Sequence, residues 1–383
     1  SLLVSSTGSE ANGSARIRGI GTVGDNPGLE SSVAVFIDGV YRSRSGIGLT
    51  ELGEIDRVEV LRGPQGTLGG RNSSAGLISI VSKAPSFSGF SGGAEATYGN
   101  YNFYRFAGNL NLPLSETIAA RVDGVYVKRD GFYRDYTNNT DVNDRDRYFV
   151  RADWQINEDH RFEATYQRLE EASTRPDDLF TGTSPQAIGR NTFYASGTKS
   201  NYYSGRLYSQ WSDNFSTELR YSRAEVRDRQ DPLGGGEAQS DNPIPRIIVG
   251  IDNPTGNDGA VLAGPGNSRS ANDLRTNIDQ YRIAANLEAG AHRIKIGAEM
   301  NHADLFNLFV QNATGTLVFR NINDLRNGLL SPGLGNNQTD TRPNNVVSGQ
   351  TEGAFGNFSA TGDVSDAAAA FTRTIYSVFA QDE

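Results

Sequence analysis

The residue types that could do chemistry are present in this 383-residue chain, but they do not assemble into a catalytic pattern. His160, His292 and His302 are scattered, and none has a second ligand at a useful spacing. Asp177-Asp178 falls in a stretch with no defined geometry. Gly63 to Arg71 is glycine-rich, yet no Gly-Lys-Ser/Thr follows, so it is not a phosphate-binding loop of the P-loop type. Asp141-Val142-Asn143-Asp144-Arg145-Asp146 resembles a calcium loop, but Arg145 takes the third ligand position and no glycine follows. A solvated loop leading into a strand is the favoured reading, with weak calcium binding left open. Neither an enzyme nor a resident cofactor or metal is expected.

The chain has instead one densely punctuated stretch, Ile55 to Pro85 (IDRVEVLRGPQGTLGGRNSSAGLISIVSKAP). It reads as strand, turn, glycine-rich loop, strand. Val58 and Val60 share one face of the first strand, and Ile78 and Ile80 one face of the second. Gly63-Pro64 opens a tight turn, and Gly66, Gly69, Gly70 and Gly76 mark backbone needing positive φ or close approach. Glu59, Arg62, Arg71 and Lys83 are oddly placed for a dry core and suit a small domain with wet, polar surroundings. Upstream, Asp38-Gly39 between Val33–Ile37 and Val40–Arg44 predicts a hairpin with a type I′ turn.

These residues resemble the plug domain of TonB-dependent outer-membrane receptors. RVEVLRGPQGTLGGRNSSAGLISIVSKAP is similar to that domain's signature. Ala15-Arg16-Ile17-Arg18-Gly19-Ile20-Gly21 and Val35-Phe36-Ile37-Asp38-Gly39-Val40-Tyr41 resemble its two earlier motifs, in family order. The resemblance implies a small mixed α+β plug over residues 1–86.

Composition agrees with a β protein. Forty-four glycines, 34 Tyr plus Phe and one Met, without a long apolar run, suit β-barrels better than helical folds. Net charge of −9 argues against a nucleic-acid surface. The lack of cysteine fits a secreted protein needing no disulfide and a cytosolic one alike. No segment approaches the roughly 18 apolar residues of a membrane-spanning helix. A mean hydropathy of −0.50 is still compatible with barrel strands, whose alternation cancels in the average. Ser1-Leu2-Leu3-Val4 is no signal peptide, so the chain reads as a piece of a longer precursor.

From Gly89 onward, apolar residues alternate with polar and charged ones. Ile118, Ala120, Val122, Gly124 and Tyr126 alternate with Arg121 and Asp123, and Ile294, Ile296, Ala298 and Met300 with Arg293, Lys295 and Glu299. This is the lipid-out, lumen-in pattern of a transmembrane antiparallel barrel over 87–383. Ten candidate strands are counted, the others beginning near 90, 104, 148, 161, 202, 215, 280 and 372. Short turns fall at 114–117, 157–160, 212–214 and 289–291, and long loops at 130–146, 170–201, 227–275 and 301–371. Short turns are expected on the periplasmic side, with Trp154, Phe162, Trp211 and Phe215 forming an aromatic girdle beside them. Ten strands do not close a plugged barrel, which takes about 22, so the barrel is expected to be incomplete.

The resemblance implies localisation in the bacterial outer membrane. It also implies import of a large scarce nutrient, a ferric siderophore first, energised by TonB through a segment preceding Ser1. Alternatives are a glycan, cobalamin or plant-derived cargo, or a non-transporting sensor or adhesin on the same scaffold. Outer-membrane lipid is an expected partner and nucleic acid is not. Arg18, Glu59 and Arg62 are expected at plug–barrel contacts. Ligand contact is expected from two apex loops: Tyr41, Arg42 and Arg44, and Leu68, Gly69, Gly70, Arg71 and Asn72. Arginines and aromatics there suit an anionic, aromatic-bearing chelate; packing against the lumen wall is the alternative role.

Overall fold

A computed structural model describes residues 2–7, 9–22, 31–44, 46, 49, 53–65, 73–130, 144–176, 192–234, 246–251, 259–263, 271–310, 316–319, 321–328 and 368–382. Leu2–Thr7 (β1) and Ser9–Ile17 (β2) form an antiparallel hairpin. Val33–Ile37 (β3), Val40–Arg42 (β4), Ile55–Arg62 (β5) and Gly76–Ser82 (β6) form a sheet in the order β4-β3-β6-β5, with β3 and β6 parallel. The Asp38-Gly39 turn has φ of 51° and 75°, both left-handed as type I′ requires.

The β3 sequence VAVFI is apolar on both faces because both are covered. Val33, Val35 and Ile37 pack with Ile78, Ile80, Ala15, Ile17 and Ala75. Ala34 packs the other way, with Leu77 and Tyr41. Gly76 has φ of +142°, and a Cβ there would lie 2.3 Å from the Leu61 carbonyl oxygen. Glycine is therefore demanded twice, by conformation and by the approach of β5. Strand β5 is the exposed edge: Val58 on it is 47% accessible.

The second unit is a ten-stranded antiparallel sheet. Its strands are Ser91–Gly99 (β7), Phe103–Pro113 (β8), Ile118–Lys128 (β9), Asp144–Gln155 (β10), His160–Pro176 (β11), Thr192–Ser212 (β12), Phe215–Gly234 (β13), Ala271–Ala289 (β16), His292–Val310 (β17) and Ala368–Asp382 (β19). Neighbours in the sheet follow chain order from β7 at one edge to β19 at the other. These are the ten strands expected from alternation, and the short turns fall at the expected places. In β9, exposed or half-buried positions alternate strictly with buried ones. On the outward face Leu207, Leu219, Ile283, Ala298 and Val378 stand side by side in register.

The long connections are more structured than expected. β12, β13, β16 and β17 run for 21, 20, 19 and 19 residues. About 9–11 residues suffice to cross a bilayer, so these strands continue far beyond the membrane and take up much of the segments read as loops. The segments 227–275 and 301–371 also contain Arg246–Ile251 (β14), Gly259–Ala263 (β15) and Thr316–Phe319 (β18), a separate three-stranded sheet, followed by the short helix Ile322–Asn327 (α1). The extensions carry no membrane-type alternation because the outward face, apolar lower down, is charged there. Outward-facing Arg223 pairs with Glu225 and Asp279, and Arg227 and Arg275 share Asp273.

Below those charges lies an aromatic band that alternation did not single out. Tyr166 and Tyr203 have ring centroids 5.2 Å apart, and Tyr221 and Tyr281 5.0 Å. With exposed Trp154, Phe162 and Trp211 near the short turns, the apolar face is bounded at both ends, as a membrane-spanning barrel wall is.

Candidate functional site

The plug lies against the inward face of the wall and touches it at three heights. The lowest contact is beside the short turn before β9. The Glu54 amide donates to Asp123 Oδ1 at 3.3 Å, and the Glu54 carboxylate accepts from Arg121 and from Lys83 Nζ, the latter at 2.5 Å. Arg121 is nearly fully buried here, so Glu54 is the counter-ion that the plug brings to it. Between Gly53–Ile55 and strands β7–β9 remains a cavity of about 500 Å³, lined by Glu95, Arg105 and Asn109 together with Ala94, Ala107 and Val125. The chain leaving the plug is tied down by Asn111, which accepts from the Ser86 amide at 2.7 Å and donates to the Ser86 and Gly89 carbonyls.

The middle contact is the Asp38-Gly39 turn. The Asp38 carboxylate accepts from the Ser82 amide at 2.9 Å and the Ser82 hydroxyl at 2.7 Å, fixing the turn to the end of β6. Its carbonyl oxygen is then free to accept from Arg206 of β12. Gly39 meets the wall so closely that a Cβ would lie 2.6 Å from Arg220 Nη1 and 2.8 Å from Arg206 Nη2.

The upper contact is β4. Arg42 stacks on Tyr202, its Cζ 3.6 Å from the ring centroid, and its Nη2 donates to Gln167 Oε1 at 3.1 Å. Burial pulls the Arg42 pKa below the ordinary arginine value; Tyr202 and Asp38 oppose the shift. Among the described residues, two of its guanidinium nitrogens, Nε and Nη1, are buried without a hydrogen-bond partner. Gln280 donates to the Tyr41 carbonyl at 3.1 Å, and the Tyr41 ring packs edge-on to Phe36 with centroids 5.7 Å apart.

The expected site residues thus fall in three groups. Tyr41 and Arg42 are buried against the wall, and Arg44 is half-buried just beyond them. Leu68, Gly69, Gly70, Arg71 and Asn72 lie outside the described residues, as do Asp177-Asp178 and the start of the calcium-like loop. Arg18, Glu59 and Arg62 are exposed, and none makes a described contact with the wall. Glu59 instead pairs with Arg57 at 2.6 Å, on the uncovered strand β5. In the described plug–wall ion pair the plug supplies the carboxylate, Glu54, and the wall the arginine, Arg121. No motif marks Glu54, Gln167 or Tyr202; their partners across the plug–wall boundary lie 67 residues away or more. Among the described residues, no three His, Cys, Asp or Glu side chains gather as a metal site.

Comparison with known proteins agrees with this architecture. Residues 1–77 match the TonB-dependent receptor plug domain, and 76–383 match an outer-membrane β-barrel domain. The pesticin receptor of Yersinia pestis is 33% identical over 102 residues, 26% of this chain and 14% of that protein. The ferripyoverdine receptor of Pseudomonas aeruginosa is 28% identical over 130 residues, 32% of this chain and 15% of that protein. The ferric yersiniabactin uptake receptor of Yersinia pestis superposes with a TM-score of 0.58 at 19% identity, over 81% of this chain and 45% of that structure. The siderophore receptor PiuA of Acinetobacter baumannii gives 0.56 at 16% identity, over 100% and 51%. This chain therefore spans about half the length of the solved receptors it resembles. A plug sheet lodged against the polar face of an antiparallel membrane wall, with both domain families matched in order, places this chain among the TonB-dependent receptors of the bacterial outer membrane.

Proposed function

We propose that this chain serves the TonB-dependent import of a ferric siderophore. The observation that carries the proposal is how the plug is held. Among the described residues, the plug's apolar clusters contain only plug residues, and the wall's cluster around Leu169, Tyr202 and Ile278 contains only wall residues. Between them run individual polar contacts. Single hydrogen bonds, including those to charged groups, contribute only about 0.5–3 kcal/mol each, so the plug can shift against the wall one contact at a time while both cores stay intact. A moving plug needs a force. TonB, pulling on a segment that precedes the plug, supplies it in this proposal.

Tyr41, Arg42 and Arg44, together with Leu68 to Asn72, supply the ligand contacts in this proposal, Tyr41 and Arg42 once the plug shift uncovers them from the wall. A guanidinium over an aromatic ring suits an anionic chelate with aromatic character. The names of the similar receptors point to ferric siderophores as cargo. The test follows uptake of labelled ferric chelates by a receptor-deleted host carrying the complete gene under iron limitation. TonB-dependent uptake of one chelate is expected. The proposal fails if no chelate enters while the receptor is present in the outer membrane.

A further inference from the structure

Beneath the Asp38-Gly39 turn, three arginines lie side by side across adjacent strands. Arg206 of β12 is in register with Arg220 of β13, and Arg220 with Arg282 of β16. Like charges directly opposite each other destabilise a sheet, so the row needs compensation. The flanking members have it. Arg206 lies 3.5 Å from Glu163 and 3.6 Å from Glu218 and donates to the Tyr208 hydroxyl at 2.7 Å; Arg282 lies 3.5 Å from Glu299. These carboxylates are within ion-pair distance of the outer arginines only; Glu218 and Glu299 act on the central one from farther off. The central one, Arg220, is 8% exposed, and among the described residues no hydrogen bond or ion pair reaches its guanidinium. What covers it is the plug's own glycine, Gly39, whose missing side chain leaves just enough room.

We propose that Arg220 and its two neighbours form an oxyanion-binding station on the route through the lumen, closed by the Asp38-Gly39 turn and opened when the plug shifts. In the closed state the Asp38 carbonyl oxygen sits on Arg206, so a backbone acceptor occupies the place an incoming oxygen takes. Once the turn withdraws, Arg220 faces the lumen with its donors unfilled. A carboxylate, or the charged oxygens of a metal chelate, can then be held by a bidentate guanidinium contact. The station lies six residues from the end of β12, roughly 20 Å along the strand, below the Arg42 level. Cargo that has left the apex passes it next. This role rests on the transport reading, whereas the chemistry of the station does not.

The test labels arginines of the full-length receptor in detergent micelles with phenylglyoxal and reads Arg220 by peptide mass spectrometry. Gly39→Val serves as the opened form, since a β-branched residue is strained at the left-handed φ of this turn and its side chain must displace the ends of Arg206 and Arg220. Wild-type urea titration, stopped where the plug loosens and the wall persists, gives a second opened form if that variant does not accumulate. Arg220 is expected to be inert in the closed receptor and reactive in the opened one. Sulfate is expected to slow its labelling by about fivefold relative to chloride at equal ionic strength, the effect of an anion contact of about 1 kcal/mol. Outward-facing Arg223 should change in neither comparison. Labelling of Arg220 in the closed receptor at the rate of Arg223, or no protection by sulfate in the opened one, overturns the proposal. In cells, Arg220→Gln should lower the maximal uptake rate while leaving chelate affinity unchanged; a parallel loss of affinity would place Arg220 in the apex site instead. If no chelate is taken up by wild type, the labelling result still stands, so the two readings fail separately.

Discussion

The Arg42 guanidinium lies 3.6 Å from the centre of the Tyr202 ring, joining the plug's fourth strand to the middle of the barrel wall. Desolvated cation–π contacts are worth up to about 2 kcal/mol. Arg42→Ala and Tyr202→Leu should each lower the temperature of the plug transition in calorimetry of the full-length receptor. Their double mutant should fall short of additivity by about 1 kcal/mol. Full additivity would mean that the stack contributes nothing to seating the plug.

Much of this arrangement was legible in the sequence, for identifiable reasons. Asp38-Gly39 predicts its own left-handed turn, and a strand that alternates over the membrane's thickness announces both its presence and its inward face, as Arg121 and Asp123 do on β9. Legibility ended where one face ceased to be apolar. Beyond the tyrosine band Arg227 and Asp273 look outward, so β13 after residue 226 and the first residues of β16 read as loop. Plug–wall partners were illegible for another reason: Glu54 carries no motif, and its meeting with Arg121 is decided by how two separately folded units dock. Arg18 and Arg62 carried the motifs but lie on plug surfaces that the ten-stranded wall does not cover.

Glu54 separates a buried from an exposed charge partner. Glu54→Gln leaves the buried Arg121 without its plug counter-ion and should cost about 1–3 kcal/mol in denaturant stability of the plug. Lys83→Met removes only the exposed partner of the same carboxylate and should cost at most about 1 kcal/mol. Equal losses for the two variants would show that burial at Arg121 does not govern this contact.

The Gly39 position should tolerate no side chain. Gly39→Ala combines an unfavourable left-handed conformation, about 1–2 kcal/mol for a residue with a Cβ, with contact against Arg206 and Arg220. The turn should lift from the wall, and planar-bilayer recordings should show ion leak that wild type lacks. A variant as tight as wild type would mean that the wall accommodates the methyl by moving its arginines.

Within the plug, burial predicts a sharp contrast on neighbouring strands. Ile78→Ala, in the fully enclosed cluster beside Val35, should destabilise the plug by about 2–5 kcal/mol. Val58→Ser, on the open edge strand, should change it by less than about 0.5 kcal/mol. Urea denaturation of both variants in the full-length receptor checks the difference. A similar cost at both positions would show that strand β5 is covered in the assembled receptor.

The central claim is that transport requires the plug to slide against the wall with both cores intact. A reversible lock tests it most directly. The sequence has no cysteine, and a Cβ built at Gly53 would lie 3.1 Å from the Asp123 Cβ, close enough for a disulfide after a small adjustment. In the complete receptor carrying Gly53→Cys and Asp123→Cys, oxidised cells should bind ferric chelate normally yet import none, and a reductant should restore import. Undiminished TonB-dependent uptake with the cross-link fully formed would contradict the account, because the cargo would then pass without the plug leaving its seat at Asp123.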